Sequence, residues 1–178
     1  RGLGDVYKRQ SSYSLSFTSN ADLSEAAAKK DTTENELRNE IVYKTILILE
    51  QNGDSLSVKL PIKLDSSGNM KFTISGAQLN TFYMNVFGAG SVDSLDEKQK
   101  NATARDVFDY MKSDELFNVS DEYSDAYALK ILAVRYEVWL NRYQQYMTVD
   151  IANNISQQSY AAIMENKDTL LGMDVNIE

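Results

Sequence analysis

IVYKTILILEQNGDSLSVKLPIKL, residues 41–64, is the stretch on which the fold turns. Two readings compete over 41–50. Leu37, Ile41, Thr45, Ile48 and Leu49 fit one face of a helix. The β-branched content and the following Gln51-Asn52-Gly53-Asp54 favour a strand entering a hairpin, because Asn-Gly supplies the positive φ angles of a tight hairpin turn. The strand is the expectation adopted. Downstream, Leu56, Val58, Leu60, Ile62 and Leu64 alternate strictly with Ser57, Lys59, Pro61 and Lys63, the pattern of a half-buried strand. Pro61 has no N–H to give a ladder, so this strand lies at an edge there or carries a bulge. Residues 65–69, DSSGN, turn the chain into Met70, Phe72 and Ile74. The expected result is an antiparallel meander with one apolar face.

Working outward, residues 12–18 alternate, with Tyr13, Leu15 and Phe17 on one face and serines on the other, and read as a short strand. Residues 22–40 are polar and rich in Ala, Glu and Lys, as in a helix or a solvated connection. After Ser75 the periodicity changes. Ser75 is placed to cap a helix carrying Leu79, Phe82, Tyr83, Val86 and Phe87, which Gly88 and Gly90 end. Ser94-Leu95-Asp96-Glu97 resembles a capping box that opens a helix to about residue 112, with Ala104, Val107, Phe108 and Met111 as its core stripe. A loop over 114–121 leads to the longest expected helix, 122–152. A last helix spans about 156–167, and 170–178 reads as a fraying terminus. The fold class is therefore α+β: an N-terminal antiparallel β-meander followed by a mainly α-helical C-terminal half. By this reading 11–75 holds the sheet with a polar helix or connection, and 76–178 is a helical region packed on it as one unit.

Residues 1–10, RGLGDVYKRQ, resemble the in-frame translation of a transposon adapter used in sequencing libraries. That implies a gene read from fragmented, metagenomic DNA whose 5′ end is missing. Any segment before Ser11, a signal peptide included, is then open, and so is localisation. The formal charge of −8 for the whole chain includes +2 from Arg1, Lys8 and Arg9 against Asp5, so residues 11–178 carry −10. Such a balance argues against sequence-independent binding of nucleic acid or anionic lipid. The longest apolar run, 46–49, is far too short to span a bilayer.

The chain has no Cys and no His. Disulfides, thiolate and imidazole metal sites, cysteine nucleophiles and Ser-His-Asp hydrolysis are thereby excluded. Carboxylate chemistry, Ser-Lys pairs and Mg²⁺ held by Asp and Glu remain. Residues 93–125 hold ten acids against Lys98, Lys100, Arg105 and Lys112. Among them Asp106, Asp109, Asp114 and Glu115 form a conceivable metal or glycosidase set, but Asp106 and Asp109 fall on the face opposite Val107 and Met111 and read as solvated. Residues 65–69 lack the ligands of a calcium loop, and Gly88-Ala89-Gly90 has no phosphate-loop Lys. Three glycosylation sequons, at Asn101, Asn118 and Asn154, read as accidental. No catalytic residue, metal ligand or cofactor site is assigned.

The expected long helix carries a narrow polar strip, Lys130, Glu137, Asn141, Gln144 and Thr148, and is apolar around the rest, as at a core or interface. Arg135 and Arg142 fall inside the apolar side, flanked by Trp139 and Tyr146. A guanidinium among apolar groups needs a partner. Either acids from 106–125 pair with it or it snorkels past Trp139 and Tyr146, or these four residues contact a carboxylate or phosphate of a ligand or partner chain. The leading functional expectation is a non-enzymatic binding or structural, assembly protein of bacterial or phage origin, with a protein partner or self-association. One alternative is a single-stranded nucleic-acid accessory protein using Tyr13 and Phe17 as stacking faces, although nucleic acid is an unlikely partner for so acidic a chain. The other is a His-free carboxylate or Mg²⁺-dependent enzyme.

Overall fold

The computed structural model describes residues 12–18, 22–144 and 147–177; the adapter-like residues 1–10 and Tyr146 lie outside them. Residues 34–51 are helical, which corrects the strand expected over 41–50. This helix, α2 (Glu34–Gln51), follows a short α1 (Ser24–Lys29). The Thr33 hydroxyl accepts from the Glu36 amide and starts it. Leu37, Ile41, Val42, Thr45, Ile46 and Leu49 form its buried stripe. Burial along that face outweighs the β-preference of Ile and Val. The buried Thr45 hydroxyl donates to the Ile41 carbonyl at 2.8 Å, so it costs the core no unpaired polar group.

Asn52-Gly53-Asp54 is a helix stop rather than a hairpin turn. Gly53 has φ +76°. Its N–H donates to Glu50 O and the Asp54 N–H to Leu49 O, the paired bonds of a Schellman cap. Both motifs demand a residue that tolerates positive φ there, so Asn-Gly alone does not distinguish them.

Strand β1 (Tyr13–Thr18) forms where expected, but its neighbours come from the other end of the chain. It is the centre of an antiparallel three-stranded sheet between β4 (Thr148–Ile155) and β5 (Met173–Ile177). Two irregularities interrupt the β1–β4 register, between Tyr13 and Leu15 and between Leu15 and Ser16. As the middle strand β1 buries its serine face as well, with Ser14 and Ser16 both enclosed. The meander thus reduces to a separate hairpin, β2 (Ile62–Leu64) with β3 (Met70–Phe72). The 65–69 turn closes this hairpin as expected, the Asp65 carboxylate accepting from the Ser67 and Asn69 amides at 2.9 Å.

The remaining helices are α3 (Gly76–Phe87), α4 (Glu97–Lys100), α5 (Ala104–Lys112), α6 (Asp125–Leu140) and α7 (Gln157–Glu165). Three expectations are corrected among them. The helix expected to run to about 112 is two, because Thr103 sets a second capping box with Asp106. The long helix stops at Leu140, and the end of its expected span, from Thr148, is β4, where Val149 and Ile151 turn inward. The tail does not fray: Met173 is buried and β5 pairs residue for residue with β1.

The α+β class holds, with both helices and antiparallel strands contributing to one continuous hydrophobic cluster from Leu15 to Met173. Helix α2 packs on α6, which also touches β2 and β4. Among the described residues no helix is long and apolar enough to cross a membrane.

Candidate functional site

The α2–α6 packing places three arginines around one small cleft. From α2 come Arg38 and Val42, one turn apart. From α6 come Val134, Arg135, Val138 and Trp139, and Arg142 follows in the turn beyond it. Phe17 of β1 and Phe117 of the 113–124 loop complete the wall, enclosing about 140 Å³. Arg135, Trp139 and Arg142, singled out from the sequence, therefore share one site. Tyr146 lies outside the described residues, so its relation to the site is open.

Arg135 lies over the Phe117 ring, 5.0 Å from its centroid. Its hydrogen-bond partners are neutral. Nη1 donates to Asn39 Oδ1 and, at 3.3 Å, to the Asn35 carbonyl, while Nη2 donates to Asn35 Oδ1 at 2.7 Å. Asn35 thus spans the Nη1–Nη2 end of the guanidinium. Nε has no hydrogen bond among the described residues. Burial, and after it the like charge of Arg38, together push the Arg135 guanidinium down to about 9. At neutral pH it stays cationic.

Asn39 is fully buried and fixes this geometry, since its Nδ2 donates to the Phe117 and Asn118 carbonyls, both at 3.0 Å. Helix α2 and the 113–124 loop therefore hold Arg135 from two sides. Arg142 is exposed and stacks on Trp139, with Cζ 3.7 Å from the ring centroid, and its Nη1 donates to the Trp139 carbonyl at 2.9 Å. A cation at the helix C-terminus is favourably placed for the helix dipole. Burial also lowers Arg38, opposed by the charges of Glu34 and Asp22.

Two of the acids expected to neutralise Arg135 and Arg142 are engaged elsewhere. Asp125 pairs with Arg105 at 3.1 Å and Asp121 with Lys112 at 2.8 Å. Among the described residues neither Arg135 nor Arg142 forms an ion pair. The cleft thus offers fixed guanidinium donors beside apolar walls, an arrangement suited to a carboxylate on a short apolar stem. A cavity of roughly 150 Å³ accommodates a benzene-sized group, which bounds what this one admits.

Arg38, Asn35 and Asn39 were not expected here. Read as a helix, 34–51 puts Asn35, Arg38, Asn39 and Val42 on one face at i, i+3, i+4 and i+7, and that periodicity was the available signal.

Other candidate groups resolve differently. Asp106 caps α5, accepting from the Thr103 amide at 2.9 Å, and Asp109 is solvent-facing. Among the described residues no group of three or more Asp or Glu is placed to hold a metal ion. Phe17 is buried and Tyr13 packs on Tyr160, with centroids 4.5 Å apart, so neither ring is a free stacking face. Comparison with family models and with curated proteins gives no match for this chain.

Proposed function

We propose that this chain is a non-enzymatic binding protein of a larger assembly, and that the Arg38–Arg135–Arg142 cleft receives a carboxylate presented by a protein partner. One observation carries the reading: a largely buried guanidinium is held by two asparagines, with no carboxylate paired to it among the described residues. A buried arginine serving only stability is ordinarily matched by an acid, because an uncompensated charge in the interior is costly. Here the surrounding residues orient the cation and leave its charge for something else. The apolar walls from Trp139 and Phe117 favour a side-chain carboxylate over a bare inorganic anion.

Calorimetric titration with sodium propionate at constant ionic strength tests this, with sodium chloride as the control. Saturable binding of propionate but not chloride, lost in Arg135→Met, is the expected result. No heat above the chloride control would remove the proposal.

A further inference from the structure

Asn52-Gly53 is the only Asn-Gly step in the sequence. Such a step is chemically labile, because Gly lacks the side chain that otherwise hinders its nitrogen from reaching the preceding carboxamide. In that reaction the Gly53 nitrogen gives its proton to solvent base and attacks Asn52 Cγ. The new N–Cγ bond closes a succinimide ring, the Cγ–Nδ2 bond breaks, and the nitrogen takes up a proton and leaves as ammonia. Water then opens the ring at either carbonyl, leaving aspartate or isoaspartate at position 52.

The end of α2 holds both reacting groups off this path. Asn52 Nδ2 donates to the Ile48 carbonyl at 2.9 Å, which draws the carboxamide one turn back along the helix. The Gly53 N–H donates to the Glu50 carbonyl at 3.1 Å, so the nucleophile keeps its proton while that bond lasts. Just beyond the pair, the Asp54 N–H donates to the Leu49 carbonyl at 2.8 Å, and the Asp54 carboxylate accepts from the Ser156 and Ser159 hydroxyls at 2.6 Å. Nothing shields the pair sterically. Gly53 is exposed, and the space where a Cβ would stand is open. Hydrogen bonding, not burial, is what blocks the reaction.

We infer that Asn52 is a site of spontaneous deamidation gated by the C-cap of α2, so that the folded chain reacts only through molecules in which the cap and the Asp54 tie have opened. The product does not fit the closed cap. A carboxylate at residue 52 has no proton for the Ile48 carbonyl, and it puts negative charge at a helix C-terminus beside Glu50 and Asp54, where the dipole opposes it. Isoaspartate also lengthens the backbone and breaks the spacing of the paired cap bonds. Each event therefore loosens the end of α2 and is not undone by reclosure.

The whole chain, folded or unfolded in guanidinium chloride, is held in mildly alkaline buffer, and conversion at residue 52 is read by mass spectrometry of digests. The folded chain should convert at least about tenfold more slowly. Amide exchange supplies an independent scale, since the Gly53 N–H must leave Glu50 to exchange as well as to attack. The slowing should equal or exceed the exchange protection at Gly53. Ser159→Ala removes one bond to Asp54 without touching the reacting pair. It should speed conversion of the folded chain about fivefold and leave the unfolded rate unchanged. Asn52→Asp should lower the urea midpoint of unfolding. Equal rates in the folded and unfolded chains, slowing smaller than the Gly53 protection, or a folded rate indifferent to Ser159→Ala would overturn the gating. Absence of conversion in the unfolded chain would remove the site, and an unchanged Asn52→Asp midpoint would overturn the loosening. If Ser159→Ala fails to fold, the comparison of slowing with Gly53 protection decides alone.

Discussion

Arg135 donates to Asn35 and Asn39, acceptors that fix its orientation without cancelling its charge. Replacing it by Met removes a desolvated cation and leaves an apolar group of similar length in an apolar wall. The substitution also leaves the buried Asn39 Oδ1 without its donor, so stability in urea should fall by about 1–3 kcal/mol. A larger loss would instead mark Arg135 as half of a structural pair. Asp54 is the anionic counterpart. Its Oδ2 accepts from the Ser156 amide at 3.0 Å and from the Ser156 and Ser159 hydroxyls at 2.6 Å, tying the end of α2 to the start of α7. Burial raises its pKa, but these three bonds outweigh that and hold it below the ordinary carboxylate value of 3.8. A carboxyl depressed in the folded state contributes stability that is present above about pH 4 and is lost as pH falls through the folded value. Asp54→Asn should cost about 1–2 kcal/mol at pH 7 and flatten the decline in stability below pH 4, as read from urea midpoints across pH.

At the scale of elements, α2 shows where local sequence cues divide. Its Ile and Val favour a strand, Asn52-Gly53 fits either a hairpin or a helix cap, and only the stripe from Leu37 to Leu49 points to a helix. Gly53→Ala should cost about 1 kcal/mol, because φ +76° is strained for a residue with a Cβ. Thr103→Ala should lose about 1 kcal/mol of thermal stability, since its hydroxyl caps α5. The stripe Ala104, Val107, Phe108 and Met111 was legible and is buried throughout. The end of α6 was not legible, because the apolar positions after Leu140 continue to fit a helix although β4 forms from Thr148.

For the whole molecule, the α+β class was legible, since the period of the apolar pattern changes from two to helical along the chain. The sheet's membership was not. Tyr13 pairs with Ile177 and Ile155, contacts that no local pattern encodes, and the serine face of β1 reads as outward until both neighbouring strands are placed. Arg135, Trp139 and Arg142 were found because they share one face of a single segment. Arg38 was missed because 22–40 read as a polar helix or connection and 41–50 as a strand, which split the helix that carries it. The same assembly that closes the sheet seats Phe17 behind the arginines, so the cleft is a product of the complete fold.

The sequence contains one tryptophan, and Trp139 lines that cleft beneath Arg142. Its fluorescence reports occupancy directly. Propionate added at constant ionic strength should change Trp139 emission along a saturating curve in the wild-type chain, and Arg135→Met should weaken the apparent affinity about tenfold or more. A linear response, or identical curves for the two proteins, would contradict a carboxylate-binding cleft.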